Sequence, residues 1–197
     1  MTLVLASGSE TRAKMLRDAG LAFEIVPSTV DEDVLKAEYR AAGRSAAALA
    51  KALAEAKARD AAARMPGRLV IGADQVLSFE GETFDKPRDL DEARAQMRRL
   101  RGASHTLISA AVFMRDGVVL SKCEGSAVLT MRAFSDDFLE RYLAEVGKAV
   151  LWSVGGYQIE GRGAQLFEQV AGDYFSILGL PLLAVLAVLR DEGVMTR

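Results

Sequence analysis

The chain has 197 residues, half of them hydrophobic, and a formal net charge of −2. That length suits one domain, or two lobes around a cleft, with a sizeable core, and the mixed charges give no broad basic footprint for duplex nucleic acid. Cys123 and His105 are each the sole residue of their type, which excludes an internal disulfide, a cysteine metal cluster and a multi-histidine metal site. The first residues lack the basic region and long apolar run of a signal peptide, and no stretch reaches transmembrane length, so a soluble cytoplasmic protein without a membrane partner is expected.

Leu3 to Ala6 reads as a short buried strand, followed by the turn Ser7-Gly8-Ser9 and a helix carrying Ala13, Met15, Leu16 and Ala19. Ser9 is its expected N-cap and Gly20 its end. A strand that enters a helix through small residues aims free backbone N–H groups at one point, made weakly positive by the helix dipole. Arg12 in the first turn adds a full charge, and a cation at that end of a helix calls for an anionic partner. A phosphate pocket and an ordinary strand-to-helix turn both fit this stretch. It is not a Walker loop, because the Gly-Lys-Ser/Thr ending is missing.

Phe23 to Val26 is an expected second strand, broken by Pro27-Ser28, and Val30-Asp31-Glu32-Asp33 an acidic loop. A solvated turn, a helix start or a metal- or base-contacting carboxylate would each account for the three acids. The alanine-rich stretch 44–65 is strongly helical, capped by Ser45 and ended by Pro66-Gly67. Leu49, Leu53 and Lys57 fall on one stripe at i, i+4 spacing, which puts Lys57 at the edge of the buried face, either snorkelling or reaching a cleft.

Leu69 to Ala73 is a continuous apolar run, a central strand ending in Asp74. An acid directly after a buried strand is either a turn cap or a site residue at the strand's C-terminal edge, where α/β proteins place ligands. Gln75 to Phe79 alternates, Glu80-Gly81 can turn, and Thr83 to Pro87 returns. Pairing 79 with 82 would bring Lys86 opposite Gln75 and beside Asp74, as a site or as a simple ion pair.

Asp89 caps a helix to Arg101 with Ala93, Met97 and Leu100 inward. Strands are expected at 105–114, 118–123 and 126–134, the first two joined by Arg115-Asp116-Gly117, with His105 structural. Ser135 caps a further helix that ends at Gly147. Gly155, Gly156, Gly161 and Gly163 bracket Tyr157 to Glu160, fitting close backbone approach to a ligand or a bent sheet. Trp152 and Tyr157 are expected in the core. A strand from Leu166 to Val170, then Gly172-Asp173-Tyr174 and Gly179-Leu180-Pro181, lead into a last helix, Leu182 to Leu189.

In this order, Leu5-Ala6-Ser7-Gly8-Ser9 with Arg12, Val30-Asp31-Glu32, Lys57, Gly72-Ala73-Asp74, Lys86-Pro87, Gly155-Gly156-Tyr157 with Glu160-Gly161, and Gly172-Asp173-Tyr174 through Gly179-Leu180-Pro181 resemble the Maf family of nucleotide pyrophosphatases over nearly the whole chain. The resemblance implies a single domain over 1–197 with an α/β fold: a mixed twisted sheet with flanking helices, two lobes around a deep cleft, and a homodimer. It implies hydrolysis of a nucleoside triphosphate to the monophosphate and pyrophosphate with a divalent metal, Mg or Mn. It makes Asp74 the catalytic proton acceptor, and puts Ser7, Ser9, Arg12, Glu32, Lys57 and Lys86 in the substrate pocket, with Asp74 and Glu32 toward the metal.

The family commonly has Pro-Arg-Arg where this chain has Glu10-Thr11-Arg12. Gln75 and Glu160 resemble the branch acting on 7-methyl-GTP, whereas Thr11 matches neither that branch nor the one preferring dTTP and UTP. These three positions are the expected specificity residues. A carboxylate acceptor such as Glu160 suits a purine donor edge better than a pyrimidine carbonyl. Beside this expectation stand a dTTP/UTP pyrophosphatase, a phosphatase releasing orthophosphate stepwise, and a non-catalytic nucleotide-binding regulator of cell division.

Overall fold

The structure, a computed structural model, describes residues 3–196. In chain order the elements are β1 (Leu3–Ala6), α1 (Glu10–Asp18), β2 (Phe23–Ile25), α2 (Glu32–Ala41), α3 (Ala46–Arg64), β3 (Leu69–Phe79), β4 (Glu82–Phe84), α4 (Leu90–Leu100), β5 (Ser104–Arg115), β6 (Val118–Met131), α5 (Asp136–Val146), β7 (Phe167–Gly172), α6 (Tyr174–Ile177) and α7 (Leu182–Asp191). Short 3-10 turns fill much of the stretch between α5 and β7. The strands form a seven-stranded sheet in the order β2-β1-β3-β5-β6-β7, with β4 also paired to β3. It is mixed: β1 runs parallel to β2 and β3, while β3–β4 and β6–β7 are antiparallel. This is the α/β class expected, with helices flanking the sheet.

The chain divides into two compact units. The first comprises the chain up to Gln75, Ile108–Ser126 and the chain from Asp173 onward. Side chains alternate across a strand. Leu3 and Leu5, Leu69, Ile71 and Ala73, and Ala111 and Phe113 share one core cluster with Leu16 of α1 and Leu182, Val185 and Leu189 of α7. The opposite face of β3 meets α3: a Cβ added at Gly72 would lie 2.2 Å from the Ala54 carbonyl oxygen and 2.5 Å from the Ala58 nitrogen. Only a residue without a side chain lets the helix lie this close to the strand.

The second unit comprises Val76–Leu107 and Ala127–Gly172. Its core holds Leu77, Met97, Leu100, Leu107, Leu129, Met131, Leu139 and Tyr157, all buried. The Gly155-Gly156 turn packs tightly here, since a Cβ at Gly156 would come within 2.8 Å of Met97 Cε. His105 is structural: its Nε2 lies 2.5 Å from the Tyr157 hydroxyl, and Phe167 packs against both rings.

Ser9, Ser45, Asp89 and Ser135 cap α1, α3, α4 and α5 as their positions require, each accepting from a backbone N–H of the first turn. Several expectations need correction. Of the readings open for the acidic stretch, the helix start holds in place of a loop: Asp31 caps α2, with Glu32 and Asp33 in its first turn. The segments 118–123 and 126–134 are one strand, β6, because Gly125 is a packing position; a Cβ there would lie 2.1 Å from Ser176 Oγ. β7 runs Phe167–Gly172, slightly later than expected. Trp152 is 65% exposed and contributes nothing to a core. Asp74 lies within β3, not after it, because the strand continues through Gln75 to Phe79.

The hairpin turns at Glu80-Gly81 as expected, both residues at positive φ (51° and 82°), and pairs Phe79 with Glu82. The ladder stops at Leu77↔Phe84, however, so pairing does not continue to set Lys86 opposite Gln75.

Candidate active site

The parallel register of β1 and β3 ends at Ala6↔Gly72. Ser7 therefore leaves the end of β1 beside the part of β3 that carries Asp74. Asp74 shares its face of β3 with Gly72, and that face carries α3. Lys57, next to Ala58, reaches Asp74 from this side: Lys57 Nζ lies 2.6 Å from Asp74 Oδ1. The same ammonium lies 2.8 Å from Glu32 Oε1 of α2. Lys57 and Asp74 side chains are only 12% and 9% exposed, and Glu32 36%. The lysine stripe on α3 thus resolves toward the site: Lys57 joins two carboxylates from different elements.

Arg12 is buried on α1, and its partners are neutral. Its Nε–H donates to the Gly179 carbonyl at 2.7 Å and its Nη1 to Ser7 Oγ at 3.1 Å. Burial lowers its pKa from the ordinary value, while Asp74 and Glu32 act in the opposite direction through space. The anionic partner expected at this helix start is thus a pair of carboxylates at longer range. Nη2 makes no hydrogen bond among the described residues, so one edge of the guanidinium is available to an anion.

Ser7 Oγ accepts from Arg12 Nη1 and from the Ser9 N–H at 3.2 Å. With both lone pairs engaged, its proton is left to donate. Ser9 Oγ caps the Arg12 N–H at 3.4 Å. The N–H groups of Glu10 and Thr11 precede any intrahelical partner and are donors by position. This corner of the first unit therefore offers backbone and hydroxyl donors and one cation, close to a lysine-held acid.

Gln75, the neighbour of Asp74, turns to the opposite face of the strand and donates to the Ser176 and Ile177 carbonyls at 2.8 and 2.9 Å. Thr11 is half-buried in the first unit, and Lys86 and Glu160 are exposed residues of the second. Ser7, Ser9, Arg12, Glu32, Lys57 and Asp74 are thus gathered within one unit. Ser109 and Ser176 join this region unforeseen, beside Gly179 of the Gly179-Leu180-Pro181 motif; the signal for Ser109 was a lone hydroxyl in the apolar run Leu107 to Phe113.

No group of three or more His, Cys, Asp and Glu side chains suited to a metal occurs among the described residues. Asp74 and Glu32 nonetheless fit a hard divalent cation of the kind that takes one or two carboxylates and completes its shell with substrate oxygens and water. Among the described residues no helix is long and apolar enough to cross a membrane.

The sequence profile described as Maf-like protein matches residues 2–192. A 7-methyl-GTP pyrophosphatase of Mesorhizobium japonicum is 51% identical over 191 residues, covering 97% of this chain and 96% of the relative. A 7-methyl-GTP pyrophosphatase of Rhizobium etli is 47% identical over 191 residues with the same coverage. A nucleoside triphosphate pyrophosphatase of Granulibacter bethesdensis is 48% identical over 196 residues, covering both chains completely. The profile match and these full-length similarities agree with the motif order, and the chain belongs to the Maf family.

Proposed function

We propose that the chain is a hydrolase that cleaves nucleoside triphosphates to the monophosphate and pyrophosphate, with a preference for 7-methyl-GTP-like purines. The observation that carries this reading is Asp74 held 2.6 Å from Lys57 Nζ on β3, in the same unit as a buried Arg12 with donor capacity unspent. The names of the relatives support the reaction, and those from Rhizobium etli and Mesorhizobium japonicum support the base.

A triphosphate carries about four negative charges near neutral pH, and its hydration must be replaced by fixed partners. Arg12 Nη2, the Ser7 hydroxyl and the amides at the start of α1 bind phosphate oxygens. Asp74 orients a water and takes its proton as the oxygen attacks the α-phosphorus. The bond from the α-phosphorus to the bridging oxygen breaks, and pyrophosphate leaves with that oxygen. Lys57 holds the Asp74 carboxylate in place before substrate arrives. Asp74 and Glu32 would hold a Mg or Mn ion, which neutralises phosphate charge when bound. The protein is further proposed to act as a homodimer, independently of nucleic acid.

The test is a panel of nucleotides, including 7-methyl-GTP, dTTP and UTP, incubated with Mg and scored for pyrophosphate or orthophosphate. Pyrophosphate release, fastest with the methylated purine, is expected. Asp74→Asn is expected to retain nucleotide binding and to lose turnover by about 100-fold or more. Orthophosphate alone, no product, or near-normal turnover in Asp74→Asn would overturn the assignment.

A further inference from the structure

α6 is four residues long, too short to satisfy its own C-terminal carbonyls. The Ser176 carbonyl accepts instead from Ser109 Oγ at 2.7 Å, Gln75 Nε2 at 2.8 Å and the Gly179 N–H at 3.2 Å. The same Gln75 nitrogen reaches the Ile177 carbonyl at 2.9 Å. Two carbonyl acceptors at one nitrogen fix the orientation of the amide and use both its hydrogens. Ser109 and Ser176 are wholly buried, so these bonds form away from competing water.

From that anchor the chain turns through Leu178 to Gly179, whose carbonyl is the acceptor for Arg12 Nε. Gly179 sits at φ 99°, and a Cβ there would lie 3.2 Å from Arg12 Nε. The turn is thus fixed at one end by Gln75 and Ser109 and presses on the guanidinium at the other.

We propose that Gln75 and Ser109 are positioning residues for Arg12: they hold the Ser176–Gly179 turn that aims the guanidinium. The idea rests on the pyrophosphatase reading for its consequence in turnover, but not for its geometry. Gln75→Met keeps length and removes both donors; Ser109→Ala removes the third and carries little risk to folding.

Three readouts decide it. Affinity for inorganic triphosphate, measured by calorimetry, falls about tenfold in each variant, as expected when a hydrogen bond to a charged group is lost. In Ser109→Ala the ratio of kcat/KM between 7-methyl-GTP and UTP stays within about twofold of wild type, since a small loss is shared by every base. In the Arg12→Lys background, Gln75→Met has little further effect on triphosphate binding, because residues that act through one another are not additive. Unchanged triphosphate affinity, a shifted base ratio in Ser109→Ala, or full additivity with Arg12→Lys would overturn the proposal. A wild-type protein that binds inorganic triphosphate but releases no pyrophosphate would refute the pyrophosphatase reading alone. The binding and additivity measurements would still decide the positioning role.

Discussion

Gly72→Ala is the sharpest structural perturbation of the site that touches none of its functional groups. The added methyl would lie 2.2 Å from the Ala54 carbonyl oxygen, 2.5 Å from the Ala58 nitrogen and 2.8 Å from Ala58 Cβ. An ordinary carbon–oxygen contact needs about 1 Å more. Two of the three obstructing atoms are helix backbone, so no rotamer change relieves them, and α3 must move off β3. Overpacking of this kind costs about 3 kcal/mol, at the upper end of its usual range. For a chain of this size that lowers the melting temperature by roughly 10 °C. Lys57 adjoins Ala58, so the same displacement stretches its 2.6 Å contact with Asp74, and turnover falls by more than the stability loss explains. The assay is a thermal melt with a parallel turnover measurement, and Gly8→Ala is the control for the melt, because a Cβ at Gly8 meets nothing within 4 Å. If Gly72→Ala melts within about 2 °C of wild type and keeps its turnover, α3 does not seat against β3 as described.

Other predictions concern charge. Lys57→Met leaves Asp74 and Glu32 without their shared cation and is expected to destabilise the fold by about 2 kcal/mol and abolish turnover, checked by urea denaturation and the pyrophosphate assay. Burial lowers His105 from 6.5 to about 4. The unfolded chain therefore binds the extra proton across that interval, so stability is whole above about pH 6.5 and lost as pH falls toward 4, by at most about 3 kcal/mol. Denaturation midpoints measured between pH 4 and 7 should show this slope, and His105→Gln should flatten it; an equal slope in the variant refutes the origin. A chelator is expected to stop turnover while leaving the melting temperature within about 2 °C, since no cluster of three or more metal-suited side chains occurs among the described residues.

Much of this architecture could be read from residues alone, where local chemistry is decisive. Ser9, Ser45, Asp89 and Ser135 announce helix starts because their side chains satisfy N–H groups that nothing else reaches. Glu80-Gly81 and Asp116-Gly117 announce tight turns, and all four residues have positive φ. What escaped depends on contacts far along the chain. α2 buries no residue, and the acids that open it suit a solvated turn as well as a helix start. Gly125 looked like a break in a strand, although its lack of a side chain answers to Ser176 and Asp173 packed above it. Asp74 looked like the end of an apolar run and Gln75 like the start of an alternating strand, yet each finds a partner on its own face, Lys57 on one and the α6 carbonyls on the other. Within the site, Lys57, Asp74, Glu32, Arg12 and Ser7 were all anticipated, but the Arg12 Nε bond goes to Gly179, 167 positions away, and no spacing rule reaches that distance.

The glycines at 72, 125 and 179 each stand where a methyl group would strike or crowd the supports of the site. A saturation mutagenesis screen scored on catalytic output should therefore find some of its deepest sensitivities at positions that own no reactive atom. Designers who wish to alter substrate choice should leave these bare positions alone, and seek latitude among exposed residues such as Glu160.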